Sequence, residues 1–361
     1  MSEAAASGDT EAALSEVPAD EPALGRPGRP FDRRAPYVMG LLGGLGLLTA
    51  FALGLSLATA ACSSGSGETT TAGKSTSSST GSGAGGDGGG GGSLPTGPQT
   101  PKAEFLPKAT GPCPPLAEGK ATFTPDGKAR DVLLWLPDSP PATPGPLVFF
   151  WHGAGGDPDE APDALGPALD EIKAMGGTVV APYHDPVNDL LPWFLVTGGD
   201  DQSDLRVADE ALACAIAENR VDLQRIYSVG FSAGAMNNTQ FVALRSGYLA
   251  SIVDYSGARI GYPVEQDDSN HYPAMLFYGG PNDMVVVNFQ DESIAYQQNL
   301  ADEGHFSFLC NHDMGHTVPA SGRASAWQFL KDHPFKLQPE PYENGLPAGF
   351  PSYCQLPTPE N

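Results

Sequence analysis

An α/β fold with a mostly parallel sheet, covered by helices on both faces, is what this sequence predicts. Three observations carry it. Short apolar runs alternate with longer helix-like runs from about residue 130 to about residue 335. The apolar runs are continuous, as in strands buried on both faces. And Arg225-Ile226-Tyr227-Ser228-Val229, a strand-like run, leads through Gly230-Phe231-Ser232-Ala233-Gly234-Ala235 straight into a helix-like run, Met236 to Arg245.

Taken in order, Asp131 to Leu136 reads as a strand stopped by Pro137. Pro146 to Trp151 reads as a buried central strand and Gly177 to Pro182 as another, with helix Ala161 to Met175 between them. Helix Ser203 to Glu218 starts at Ser203-Asp204 and shows an apolar face at Leu205, Ala208, Leu212, Ala215 and Ile216. The strand Arg225 to Val229 is followed by helix Ala233 to Arg245, which Ser246-Gly247 ends. Strands Ser251 to Tyr255 and Ala274 to Tyr278 come next, then helix Gln290 to Asp302, strand His305 to Leu309 and helix Ser325 to Lys331. In such sheets ligands bind beyond the carboxyl ends of the strands.

That alternation cannot cover the whole 361-residue chain. Residues 1–36 are acidic and then basic, with Arg26, Arg29, Arg33 and Arg34 before an uncharged stretch from Tyr37 to Ala61. A basic segment followed by an apolar stretch and small residues is an export signal, and a stretch of this length can also span a bilayer. Thr59-Ala60-Ala61-Cys62 resembles the lipobox of bacterial lipoproteins, in which the cysteine is acylated; Thr59 stands where Leu is usual. Segment 37–62 is therefore a lipoprotein signal with Cys62 lipidated, or an uncleaved anchor. Both put the rest of the chain outside the cytoplasm, tethered to membrane or cell surface, because the arginines stay inside. Residues 63–102 are almost entirely Ser, Gly, Thr and Pro and read as a disordered tether spanning about 35 Å, at roughly 5–6 Å times the square root of its length. Residues 103–361 form the folded domain.

The formal charge of −24, with 19 basic against 43 acidic residues, argues against nucleic acid as a partner. A monomer is expected. Four domain cysteines, Cys113, Cys214, Cys310 and Cys354, in an exported chain suggest two disulfides with three possible pairings. Cys113 and Cys354 flank the domain, which favours that pair and leaves Cys214 with Cys310. No CxxC pair marks a metal site.

Gly230-x-Ser232-x-Gly234 between strand and helix is the context of a nucleophile elbow. The sharp turn strains the serine backbone and leaves no room for side chains two residues either side. It exposes the hydroxyl at a helix N-terminus, where developing negative charge is favoured. The rival reading, a mere Gly/Ser turn, does not account for the flanking strand and helix. A serine hydroxyl needs a base, and the base an orienting carboxylate. His316, in Gly315-His316-Thr317-Val318-Pro319 after the last strand, is the candidate base. His305 and His333 read as structural, and Gly315 and Pro319 speak against a helical zinc pair of His312 with His316. Asp283, in Gly280-Pro281-Asn282-Asp283 after a strand, is the candidate acid; Asp254, inside a strand, is the fallback, and Asp313 reads as a solvated loop charge. Oxyanion donors are expected at Ala233 N–H and at Ala154 N–H, with Gly153 the alternative, in the loop His152-Gly153-Ala154-Gly155-Gly156. His152 reads as a structural histidine under that loop, which lacks the lysine and spacing of a phosphate cradle. The long segment His184 to Gln202 carries Trp193 and Phe194, candidates for a substrate-contacting rim or for packing the loop down.

With these residues in place, the segment from about 130 to 335 resembles exported serine esterases grouped with polyhydroxybutyrate depolymerases and feruloyl esterases, a branch of the α/β-hydrolases. The resemblance is carried by the glycine loop 152–156, the elbow 230–235, Gly280-Pro281-Asn282-Asp283 and Gly315 to Pro319; Gly279 stands where that family often has His. It implies an α/β-hydrolase fold, with nucleophile, acid and base at Ser232, Asp283 and His316. The expected function is an extracytoplasmic carboxylic ester hydrolase acting on short-acyl or polymer-borne esters, with no metal or cofactor. The alternatives are a serine peptidase of prolyl-oligopeptidase type and a non-catalytic surface-binding lipoprotein.

Overall fold

The computed structural model describes residues 96–357, apart from 138, 140, 189, 190 and 286. Segments 1–36 and 37–62, with Cys62 and most of the expected linker, lie outside the described residues. Among the described residues no helix is long and apolar enough to cross a membrane. The last linker residues are already docked: Gly97 N–H donates to Gln338 O (2.7 Å), Gln99 N–H to Phe335 O (2.8 Å), and Pro101 is buried.

The strands, in chain order, are β1 (Gly119–Phe123), β2 (Arg130–Trp135), β3 (Gly145–Trp151), β4 (Thr178–Pro182), β5 (Val221–Phe231), β6 (Ser251–Tyr255), β7 (Ala274–Tyr278), β8 (Ser307–Asn311) and β9 (Cys354–Gln355). They form one sheet in the order β1-β2-β4-β3-β5-β6-β7-β8-β9. From β4 through β8 all neighbours are parallel, while β1, β2 and β9 join antiparallel at the two edges. The helices are α1 (Ala161–Leu165), α2 (Ala168–Ala174), α3 (Ser203–Ala217), α4 (Ala233–Leu244), α5 (Phe289–Asp302) and α6 (Arg323–Asp332).

β3 shows why the sheet needs cover on both faces. Every residue in it is buried. Successive side chains point to opposite faces, so Leu147, Phe149 and Trp151 enter the core under α3 and α4, while Val148 and Phe150 enter the core under α1, α2 and α6. Phe149 meets Phe241 of α4 edge-on, with ring centroids 5.1 Å apart, and truncating such a buried ring to Ala costs about 3–5 kcal/mol. The expected helix 161–175 is broken instead into α1 and α2. Gly166 takes φ 57°, and Pro167 has no N–H with which to continue the ladder. β1 and β9 escaped the sequence reading because both are short edge strands, and the half-buried GKATF of β1 carries no continuous apolar run.

The disulfides are Cys113–Cys214 and Cys310–Cys354, which corrects the expected pairing of Cys113 with Cys354 and Cys214 with Cys310. The reason is local docking. Thr110 N–H and Gly111 N–H both donate to the Glu210 carboxylate of α3, at 2.8 and 2.7 Å. Cys214 lies one turn beyond Glu210 on the same helix face, so the docked segment delivers Cys113 to it. At the other edge, β9 pairs with β8 in a register that sets Cys354 opposite Cys310. Two disulfides fit an oxidising, extracellular environment.

The Cys113–Cys214 bond closes a loop across a sequence separation of 101. The double variant Cys113→Ser/Cys214→Ser should lose about 2–5 kcal/mol of stability. Denaturant unfolding measures this, and an unchanged midpoint would show that the crosslink contributes nothing.

Candidate active site

β5 ends at Phe231 and α4 begins at Ala233, so one residue, Ser232, makes the whole turn. Its backbone sits at φ 56°, ψ −122°, a conformation that L-residues rarely adopt. Both flanking glycines are required. A Cβ on Gly230 would lie 2.6 Å from Ala235 Cα, and one on Gly234 would collide with the Trp151 carbonyl of β3. The turn is held by Ser232 N–H donating to Tyr255 O of β6 (2.9 Å) and by Met236 N–H donating to Ser232 O (2.9 Å). The first helical N–H, that of Ala233, has no partner within the helix.

Three side chains from three strand ends meet here. Asp283 follows β7, His316 follows β8, and Ser232 follows β5. His316 Nδ1 lies 2.7 Å from Asp283 Oδ1, and His316 Nε2 lies 2.8 Å from Ser232 Oγ. Asp283 is fully buried. Burial pushes its carboxyl up, but hydrogen bonds from His316, Gly279 N–H (2.8 Å) and Ser256 Oγ (2.7 Å) outweigh that and hold it below the usual carboxylate range. An ionised Asp283 can only accept, so Nδ1 carries the proton and Nε2 offers its lone pair to the Ser232 hydroxyl. The imidazole lies between two rings, Phe289 at 4.8 Å and Phe231 at 5.0 Å between centroids. Ser256, Phe289 and Phe231 were not foreseen as site residues. Ser256 follows β6 directly, which is the one signal that could have marked it.

Asp254 does not reach this site. It is buried against α4, where Asn238 Nδ2 donates to its Oδ1 (2.8 Å). His312 Nδ1 accepts from Met314 N–H at 3.3 Å in a turn, so His312 and His316 do not share a helix face.

The glycine loop after β3 faces the serine. Gly153 approaches most closely: a Cβ there would lie 3.4 Å from Ser232 Cβ. Its N–H, however, donates to Glu160 Oε2 (3.1 Å), so Gly153 is not the free donor it was weighed as, and Ala154 N–H is left without an intramolecular acceptor among the described residues. Burial raises the Glu160 carboxyl above the usual range, against the opposing bond from Gly153.

Trp193 corrects the expected rim. It is fully buried, and its Nε1–H donates to His152 O (3.0 Å). Its ring packs on Trp151 at 5.0 Å and on His152 at 4.7 Å. Trp193 therefore holds the glycine loop from beneath. Phe194 is half-buried, and its N–H donates to Asp204 Oδ2 (2.8 Å). Asp204 also binds the buried Arg130 guanidinium at 2.7 Å, and this pins the segment. His152 lies under the loop as expected, with burial lowering its pKa to about 4. Cavities of about 400 Å³ beside Tyr278 and Tyr353 and about 490 Å³ beside His271 and Lys336 are lined by none of the three central residues. Ser232 is buried at 8 % exposure, and the His316 side chain beside it is 20 % exposed.

Two outcomes follow from this geometry. Trp193→Phe should lower kcat by roughly ten- to hundredfold with KM little changed, because it loosens the loop rather than removing a substrate contact. A rise in KM alone would restore the rim reading. Burial raises the Asp254 carboxyl to about 8, opposed only by the Asn238 bond. The unfolded carboxyl ionises near about 3.9. The folded chain therefore keeps a proton that the unfolded chain releases, and the resulting stability is complete below about pH 4 and lost as pH rises through about 8. Asp254→Asn cannot ionise, so its melting temperature relative to the parent should rise from pH 4 to pH 8. A difference that is flat across that range would contradict the assignment.

No protein-family model matches the chain. A curated protein, the putative esterase NocK of Nocardia uniformis subsp. tsuyamanensis, is 27 % identical over 165 residues, covering 42 % of this chain and 45 % of that protein. The chain thus spans under half the length of that relative. Among solved structures, native pOPH superimposes with a TM-score of 0.54 at 16 % identity, covering 68 % of this chain and 96 % of that one. Native sOPH gives 0.54 at 14 % identity, covering 70 % and 97 %. The curated likeness is to an esterase, and the superpositions and the sheet order together show that the chain has the α/β-hydrolase fold.

Proposed function

We propose that the chain is a serine carboxylic ester hydrolase acting outside the cytoplasm on short-acyl or polymer-borne esters. The observation that carries this is the hydrogen-bonded line Asp283–His316–Ser232 set in front of two unsatisfied backbone donors, Ala233 N–H and Ala154 N–H. The likeness to a putative esterase supports the same reading.

In this reading Ser232 Oγ attacks the ester carbonyl carbon as its proton passes to His316 Nε2. Ionised Asp283 stabilises the imidazolium so formed. The carbonyl oxygen becomes an oxyanion between the N–H groups of Ala233 and Ala154, at the positive end of α4. Collapse breaks the C–O bond to the alcohol, which leaves with the proton from Nε2, and Ser232 keeps the acyl group. Water then attacks with His316 as base, and the carboxylic acid departs. Besides the ester and water, the steps use side chains and backbone of this chain.

Preference for short acyl groups rests on the apolar residues next to the acid and the base in sequence. Met284, Val285 and Met314 flank Asp283 and His316 in sequence and are more than half exposed. Exposed apolar side chains of this kind suit contact with an apolar acyl or polymer unit. Export and tethering rest on the arginine-flanked apolar segment, Cys62 and the Gly/Ser-rich linker, with the two disulfides as support.

Ser232→Ala should lower turnover of aryl acetates and butyrates by at least about a thousandfold and abolish labelling by a fluorophosphonate. Asp283→Asn should lower kcat by a similar order, through the wrong His316 tautomer. Aryl butyrate should exceed aryl palmitate in kcat/KM, and a chelator should leave turnover unchanged. Hydrolysis that survives Ser232→Ala would sink the assignment, and a preference for palmitate would overturn the substrate class.

A further inference from the structure

At the amino end of the sheet, opposite the serine, one buried histidine has a ring nitrogen that makes no hydrogen bond. His305 lies just before β8 with its side chain 1 % exposed. Its Nδ1 lies 3.1 Å from the Tyr272 carbonyl oxygen. A carbonyl only accepts, so Nδ1 carries a ring proton, and Nε2 is the ring atom left for another partner. That atom is buried and makes no hydrogen bond. Glu265 Oε1 lies 3.0 Å from it, but off the line that a ring N–H would need. A carboxylate oxygen and an imidazole nitrogen therefore lie close together without a hydrogen bond between them.

A third donor is close. Glu303, directly after α5, brings a carboxylate oxygen to within 4.8 Å of the other two donor atoms. Arg259 Nη1 holds Glu303 at 2.8 and 3.0 Å, and the guanidinium sits over the Tyr262 ring at 4.8 Å. A carboxylate has about four lone-pair sites, so these bonds leave sites on Glu303 free. Two carboxylates thus share one guanidinium and one imidazole nitrogen.

We propose that His305, Glu265 and Glu303 bind a divalent cation of the Zn²⁺ class. One imidazole and two carboxylates are a ligand set that such ions accept, with water completing the coordination. The backbone carbonyl on Nδ1 is the outer partner that commonly fixes the tautomer of a metal-bound histidine. The sequence hides the set, because its members come from the loop before β7, the end of α5 and the approach to β8. The ion would join those three segments. Lying at the amino ends of the strands, it would stabilise the fold without taking part in hydrolysis.

The test is a calorimetric titration of the metal-free, full-length protein with Zn²⁺, paired with thermal melts and ester turnover. One saturable equivalent is expected. At about a hundred times Kd the melting temperature should rise by roughly 5–10 °C, with turnover unchanged. Glu265→Gln and Glu303→Gln keep side-chain shape at half-buried and exposed positions, and each should weaken binding by at least about tenfold. The absence of saturable binding would overturn the proposal. So would equal affinity in both variants, and so would zinc that inhibits turnover in both, since that would put the ion on His316.

Discussion

The backbone of Ser232 is the constraint on which the rest of the site depends. A non-glycine residue at φ 56°, ψ −122° carries strain of about 1–3 kcal/mol and persists only where its surroundings over-determine it. Here they do so from several sides. β6 accepts the serine N–H, α4 takes its carbonyl, and β3 packs so tightly on Gly234 that no side chain fits there. The strain is thus held by two inner strands and the helix that follows the serine, with every residue of β3 and β6 buried. Relaxing the turn would require β3, β5 and α4 to separate, and their shared aromatic core resists that.

The same logic of support from behind recurs at every polar group of the site. Asp283 is kept ionised by donors from Ser256 and Gly279, and these compensate for its complete burial. Ser256 itself stands at φ 53°, so the sheet stores a second strained turn in order to aim one hydroxyl. The imidazole is fixed by flat contacts with Phe231 and Phe289 rather than by further hydrogen bonds, which leaves Nε2 to the serine alone. The glycine loop is held from two sides, by Trp193 on the His152 carbonyl and by Glu160 on Gly153 N–H. With Gly153 so engaged, Ala154 N–H remains without an intramolecular acceptor among the described residues.

The periphery is fastened by different means. The chain around residue 110 docks on α3 through the Glu210 carboxylate and is then locked by Cys113–Cys214. The C-terminal chain contributes only a two-residue strand, which Cys310–Cys354 secures to β8. Arg130 and Asp204, a buried ion pair, fix the long segment that carries Trp193. Removing either partner would leave an uncompensated buried charge, which is typically strongly destabilising. An acidic, basic-poor chain therefore spends one of its few arginines where a segment behind the site must be immobilised.

The sequence by itself determined what depends on neighbours along the chain. Continuous apolar runs marked the inner strands because parallel strands are buried on both faces, and Gly-x-Ser-x-Gly marked the elbow because its steric demand falls two residues either side of one serine. The order of Ser232, Asp283 and His316 was legible for the same reason, since each follows a recognisable strand. The tertiary structure alone decided what depends on residues distant in sequence. It paired Cys113 with Cys214 because a carboxylate on α3 captures the segment before the cysteine, and Cys310 with Cys354 because an edge strand too short to show a pattern sets their register. It turned Trp193 inward because its indole N–H finds the His152 carbonyl while its ring packs on Trp151, and it set Ser256 behind Asp283. It left Asp254 inside the core because its place in β6 aims the side chain at α4. A side chain's facing and its partners are properties of packing, and no local pattern in the chain encodes them.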